Sequence, residues 1–203
     1  MKNLRIVVLT SLIFSINYDS FSQETRTIPS NTGLCVNKYD IIVDAYYGYP
    51  YLMGVLIKKV LADSFRITDV HNYNHFGARV EYMVWNEVGL GLEYTYALLT
   101  VKYQSANGKY YTASVAKQRI LAKFNYHFST TETLDPYLTA GIGYTNTQIG
   151  SNQPGVKNKS INIIPVASRI GIGLRYFFTE SFAINAEVGF GGPLMQAGIS
   201  FKL

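Results

Sequence analysis

From about residue 40 to the last residue, apolar and polar positions alternate with a period of two, broken at intervals by turn-forming residues. Val88, Leu90, Leu92, Tyr94 and Tyr96 alternate with Gly89, Gly91, Glu93, Thr95 and Ala97. Phe182, Ile184, Ala186, Val188 and Phe190 stand opposite Asn185, Glu187 and Gly189. A period of two belongs to a β-strand whose two faces meet different surroundings. Eight such segments are predicted, near 40–49, 74–84, 88–102, 111–128, 136–147, 161–178, 182–191 and 195–203. In the last, Met195, Ala197, Ile199, Phe201 and Leu203 alternate with Gln196, Gly198, Ser200 and Lys202. Chain ends usually fray. A strand that keeps its pattern to the final residue is expected where it pairs with the first strand and closes a sheet, since an open edge in lipid is not tolerated.

The connections alternate in length. Those near 85–87, 129–135 and 178–181 are short, whereas 50–73, 103–110 and 148–160 are longer and richer in Lys, Asn, Ser and Gly; Gly191-Gly192-Pro193 is a tight exception. Short turns at one rim and long loops at the other are the layout of an outer-membrane barrel. Met53, Leu56, Ile57, Val60 and Leu61 recur at helical spacing and predict a short helix in the first long loop. Aromatic residues gather beside the short turns (Trp85, Tyr126, Phe128, Tyr137, Tyr176, Phe178, Phe182). A second group flanks the long loops (Tyr46, Tyr47, Tyr49, Tyr73, Phe76, Tyr103, Tyr110, Tyr111). Two bands of amphipathic rings fit the two interfaces of a membrane.

Alternation alone does not separate a soluble sandwich from a membrane barrel. The polar face does. It holds glycines together with Asp44, Arg79, Glu81, Glu93, Arg119, Lys123, Arg169, Arg175, Glu187 and Lys202. Arginine outnumbers lysine there, as suits forked ion pairs in a confined space. An eight-stranded barrel has an interior that side chains just fill. The ten charges are therefore expected to form an ion-pair cluster plugging the lumen, with an ion pathway as the alternative.

Composition narrows this further. Charged residues make up 15% and aromatics 14%, with 17 Tyr and 17 Gly, which excludes a disordered chain. No apolar run outside the N-terminus is long enough for a membrane helix. At the N-terminus, Lys2 and Arg5 precede the apolar run Ile6–Phe14, and Ser20 and Ser22 suit a cleavage site, so residues 1–22 read as a signal peptide. Its removal leaves 16 basic and 12 acidic residues, too even a balance to point to nucleic acid. Cys35 is the single cysteine, so no internal disulfide is expected. Residues 23–38 read as a flexible periplasmic lead-in and 39–203 as the barrel domain.

The signal peptide, the eight alternating segments, the mixed-charge face and the ending Ile199-Ser-Phe-Lys-Leu203 together resemble the small OmpX/OmpA-like outer-membrane barrels. Leu203 departs from the Phe with which such barrels often end. The resemblance covers residues 39–203. It implies an all-β, eight-stranded antiparallel transmembrane β-barrel of up-and-down topology, located in the outer membrane after export to the periplasm. It also implies a structural or surface-interaction role, adhesin-like, with a small channel or a lipid-modifying enzyme as alternatives. The expected partners are outer-membrane lipid and lipopolysaccharide, the barrel-assembly machinery during insertion, and an extracellular partner at the loops 50–73, 103–110 and 148–160. A monomer is expected.

Candidate chemistry is sparse. Gly89-Leu-Gly91 and Gly171-Ile-Gly173 begin like dinucleotide fingerprints but lack the third glycine and the following helix. His127 and Ser129 would need to face outer-leaflet lipid to serve a lipid A deacylase, and the alternation turns His127 inward at the periplasmic end. His71 and His75 would need a third ligand such as Asp69 to hold a metal. No catalytic residue, metal or cofactor is expected.

Overall fold

The computed structural model describes residues 34–49, 67–104, 108–128, 130–154, 159–160 and 165–203. The expected signal peptide at 1–22 and the expected helix at 53–61 lie outside them. The described residues form nine strands: β1 (Ile41–Tyr49), β2 (Ile67–Trp85), β3 (Val88–Gln104), β4 (Tyr110–His127), β5 (Leu134–Ser151), β6 (Lys159–Ser160), β7 (Val166–Phe177), β8 (Phe182–Phe190) and β9 (Met195–Lys202). All neighbouring pairs are antiparallel, and β1 pairs with both β2 and β9, so the sheet closes into a barrel. Both β6 and β7 pair with β5, which makes them two pieces of one wall strand and gives the barrel eight staves. Of the expected strand at 161–178, β7 covers 166–177, and residues 161–164 lie outside the described residues. Pro165, which lacks an N–H, ends the upper edge of β7 and accepts a hydrogen bond from Thr145 N.

The predicted alternation sets the wall. Leu90, Leu92, Ile120, Phe124, Leu138, Ile142, Ile170, Ile172, Ile184, Val188 and Ile199 are exposed on the outer surface, and the polar set points inward. Apolar side chains outside and charges inside invert a soluble protein and suit a hydrocarbon solvent. Tyr94, Ile120, Tyr144 and Val166 form one paired row across four strands. One step further out, the row reads Tyr96, Gln118 and Asn146, so the apolar belt ends there.

The staves differ in length. β1, β8 and β9 have 9, 9 and 8 residues, whereas β2 to β5 have 19, 17, 18 and 18. A bilayer crossing takes about 9–11 residues. The β2–β5 wall therefore rises well beyond the belt as a hydrogen-bonded sheet. This shortens the expected loops: the 50–73 connection gives up 67–73 to β2, and 103–110 and 148–160 lose residues to β3, β4, β5 and β6.

The segment ahead of β1 is a second departure. Of the expected lead-in at 23–38, residues 23–33 lie outside the described residues, and 34–38 are hydrogen-bonded and packed against the barrel end. Cys35 N donates to Thr131 O (2.8 Å), Tyr39 N to Met83 O (2.8 Å), and Lys202 Nζ to Cys35 O (2.8 Å). Val36 and Cys35 pack with Ile42, Met83, Phe177 and Ala183 into an apolar layer across the periplasmic end. Burial pushes the Cys35 thiol up to about 12, so it stays protonated and serves as packing.

A ring closed by backbone hydrogen bonds resists detergent until it is boiled. The folded protein is expected to migrate at a different apparent mass before and after boiling. Co-migration of the two samples after folding into detergent contradicts closure.

Candidate functional site

The inward side chains build one continuous polar network. Arg79 on β2 is its hub: Nε donates to Asp44 Oδ2 (2.6 Å), Nη1 to Glu187 Oε2 (2.7 Å) and Nη2 to Tyr137 Oη (3.0 Å). Arg175 on β7 mirrors it nearer the periplasm, donating from Nη2 to Asp44 Oδ2 (3.0 Å) and Glu81 Oε2 (2.5 Å) and from Nη1 to Asp135 Oδ2 (3.1 Å). Arg169 Nε donates to Glu187 Oε1 (2.6 Å), and Lys123 Nζ lies 3.2 Å from Glu93 Oε2. Each of these ion-paired side chains is at most 1% exposed. The planar guanidinium forks of Arg79 and Arg175, each serving three other strands, suit such a site better than point-charge ammoniums.

Of the ten expected lumen charges, Asp44, Arg79, Glu81, Glu93, Lys123, Arg169, Arg175 and Glu187 meet in this network. Arg119 points inward above it. Lys202 sits apart at the periplasmic rim, 3.6 Å from Asp40 Oδ2. Two further members, Asp135 and His127, join the network. Asp135 lies in phase with Tyr137 and Thr139, one residue before the predicted start of its strand. His127, although read as inward, was not assigned partners; its Nδ1 lies 2.6 Å from Asp135 Oδ1 and its Nε2 3.0 Å from Glu81 Oε1. So enclosed, His127 does not face lipid. Ser129 lies outside the described residues, as do the side chains of His71 and Asp69. His75 is buried in the interior, and among the described residues no group of three metal-ligating side chains gathers.

Two aromatics expected at the membrane interfaces stand inside instead. Tyr137 is fully buried, with Arg175 Cζ 4.5 Å from its ring centroid. It fits because its paired neighbour is Gly173, where a Cβ would run into the Tyr137 ring. Tyr46 lies over Gly77 in the same way. Their strand parity is inward, and parity overrides closeness to a strand end. The inward glycines of the two Gly-x-Gly stretches thus make room for packing within a filled barrel.

The barrel now has an apolar layer at its periplasmic end, a charged layer above it, and an apolar outer belt. It is a closed transmembrane β-barrel of the outer membrane, with a filled interior. The family model described as the OprF membrane domain matches residues 52–196, and the chain belongs to that family of OmpA/OmpX-like barrels. It is 30% identical over 135 residues to outer membrane porin F of Pseudomonas aeruginosa, a match covering 64% of this chain and 35% of that protein. The chain therefore spans about a third of that relative's length. Among solved structures it is similar to the N-terminal β-barrel domain of Pseudomonas aeruginosa OprF, with a TM-score of 0.52 at 19% identity over 82% of this chain and 99% of that one. A de novo designed transmembrane β-barrel matches with a TM-score of 0.50 at 14% identity, covering 82% and 97% of the two chains.

Proposed function

We propose that this barrel is a structural and surface-interaction protein of the envelope, adhesin-like, working through its outer wall and not through its lumen. One observation carries the reading: the interior is filled by paired charges and an apolar layer, while β2–β5 project a hydrogen-bonded sheet beyond the belt. The outward face of that projection carries Thr100, Lys102, Thr112, Ser114 and Gln148, side chains suited to an aqueous, polar partner. Its backbone is held by register pairing up to Gln104 and Tyr110, so the sheet presents those groups without a large ordering cost on binding. Lipopolysaccharide would surround the belt, and the barrel-assembly machinery would take up the terminal strand during insertion.

A channel is the second reading, favoured by the porin name of the relative at 30% identity. It requires the Arg79 and Arg175 forks to open. Shortening the β3–β4 hairpin to remove 99–115 separates the two. The trimmed barrel is expected to keep its heat-modifiable migration, while cells displaying it attach less to a matrix-coated surface than cells displaying the whole protein. Equal attachment at equal surface display contradicts the surface role.

A further inference from the structure

His127 ends β4 at the level of the β2–β3 turn, where its backbone N donates to Glu87 O (2.7 Å). Its side chain is fully buried, and both ring nitrogens meet carboxylates: Nδ1 lies 2.6 Å from Asp135 Oδ1 and Nε2 3.0 Å from Glu81 Oε1. A neutral imidazole has one N–H and one bare lone pair. In that form one ring nitrogen would set its lone pair against a carboxylate oxygen, in a place closed to water. The doubly protonated ring donates to both.

A proton on either carboxylate would be the other way to fill the gap, and the surroundings oppose it. Asp135 Oδ2 accepts from Arg175 Nη1 (3.1 Å), and Glu81 Oε2 accepts from Arg175 Nη2 (2.5 Å). Glu81 Oε1 also accepts from Asn125 Nδ2 (2.6 Å). Hydrogen bonds donated to both oxygens, together with a guanidinium alongside, favour the ionised carboxylate. Arg175, Glu81, His127 and Asp135 thus close a ring of four side chains that ties β7, β2, β4 and β5 together.

The wider network balances its charge with the same proton. Among the described residues, its ion pairs hold four Arg and Lys cations against five carboxylates, and a protonated His127 makes the two sides equal. Around the ring, β5 also brings Tyr137, whose ring centroid is 5.7 Å from that of His127, and β1 brings Asp44, which shares Arg175 Nη2. Thr130 Oγ1 donates to Asp135 Oδ1 (3.4 Å). On β3, Gly89 leaves room for the Glu81 carboxylate, which a Cβ there would strike. At the rim, Lys202 of β9 is bound to Cys35 O.

We propose that His127 is held as an imidazolium at neutral pH, and that this bound proton locks the periplasmic end of the barrel. A histidine in the unfolded chain gives up its proton at about pH 6.5. The folded ring keeps it. Above that pH the unfolded state binds fewer protons than the folded one, so stability falls as pH rises. The lock is complete below about pH 6.5. Above it, the unfolding constant rises by up to about tenfold per pH unit until the ring itself releases the proton.

The test uses the whole chain, with its histidines labelled with nitrogen-15, folded into maltoside micelles. The chain has three histidines, His71, His75 and His127. At about pH 8, where a free histidine is largely neutral, the imidazole nitrogen shifts are expected to show one histidine protonated on both nitrogens. His127→Gln should remove that signal. Should His127→Gln fail to fold, His71→Gln and His75→Gln assign the signal by elimination. Urea unfolding in lipid vesicles across the same pH range should show a wild-type midpoint that falls as pH rises, and a flatter profile for His127→Gln. A wild-type spectrum with no doubly protonated histidine at that pH overturns the proposal. So does a doubly protonated signal that belongs to His71 or His75, or a folded His127→Gln whose midpoint falls with pH as steeply as that of the wild type.

Discussion

Glu187→Ala is expected to lower the stability of the barrel by about 3–5 kcal/mol, the usual cost of removing one partner from a buried ion pair. Glu187 accepts from Arg79 Nη1 (2.7 Å), Arg169 Nε (2.6 Å) and Tyr137 Oη (3.3 Å), and Lys123 Nζ lies 3.9 Å away. Without it, Arg79 falls back on Asp44, and Lys123 on Glu93. Arg169 keeps only the Pro193 carbonyl on that side. Three cations would then crowd a space with one carboxylate fewer and little water to screen them. Glu187→Gln should fall between, since it keeps an acceptor but not the charge. Urea unfolding in lipid vesicles, followed through the single tryptophan Trp85, reads all three. An unchanged midpoint for Glu187→Ala would show that the network is not confined as described.

Ile172→Arg is expected to cost about 2–4 kcal/mol, the penalty for a basic side chain near the bilayer midplane of a barrel wall. Ile172 sits mid-strand on β7, paired with Leu138 on β5 and Val188 on β8, and its side chain is outward and exposed. Ile172→Leu, which keeps an apolar surface, is the control and should fold like the wild type. The comparison reads the wall's orientation with a single atom group, because its inward neighbours Gly171 and Gly173 belong to the filled interior. If Arg and Leu fold with equal yield into vesicles, the outer face has been assigned wrongly.

How much of this could be read from the chain follows from what each part of it repeats. The membrane-spanning parts of the staves repeat a period of two with an unbroken apolar side, so their number, order and facing were legible, as was the inward position of Arg79, Arg175 and Glu187. The extensions were legible in part: β3 and β4 match the expected 88–102 and 111–128 to within two residues, whereas β2 starts at Ile67 instead of 74 and β5 runs on to Ser151 instead of 147. Beyond Tyr144 the outward positions of β5 are Asn146, Gln148 and Gly150, and a strand without an apolar side loses its signature. Asp135 was missed for a related reason: Pro136 looked like the start of the strand, yet carrying the phase back from Tyr137 by one step reaches Asp135. Tyr46 and Tyr137 were misplaced by their nearness to strand ends, although parity already turned them inward beside Gly77 and Gly173. The Val36 layer had no signal at all. It depends on residues 34–40 meeting Met83 and Phe177, which are far away in sequence, and no periodicity reports such a contact.

A sealed lumen is tested most directly by single-channel recording in planar bilayers. With Val36 and the Ile42–Met83–Phe177 layer at the periplasmic end, and the Arg79 and Arg175 forks above it, the wild type should give no stable unitary openings above the leak of the bare membrane. Glu187→Ala, though less stable, should give none that are ion-selective. Stable unitary currents in the wild type, with an ion selectivity that shifts in Glu187→Ala while the folded fraction holds, would contradict the account and make this barrel a small channel lined by its own charge network.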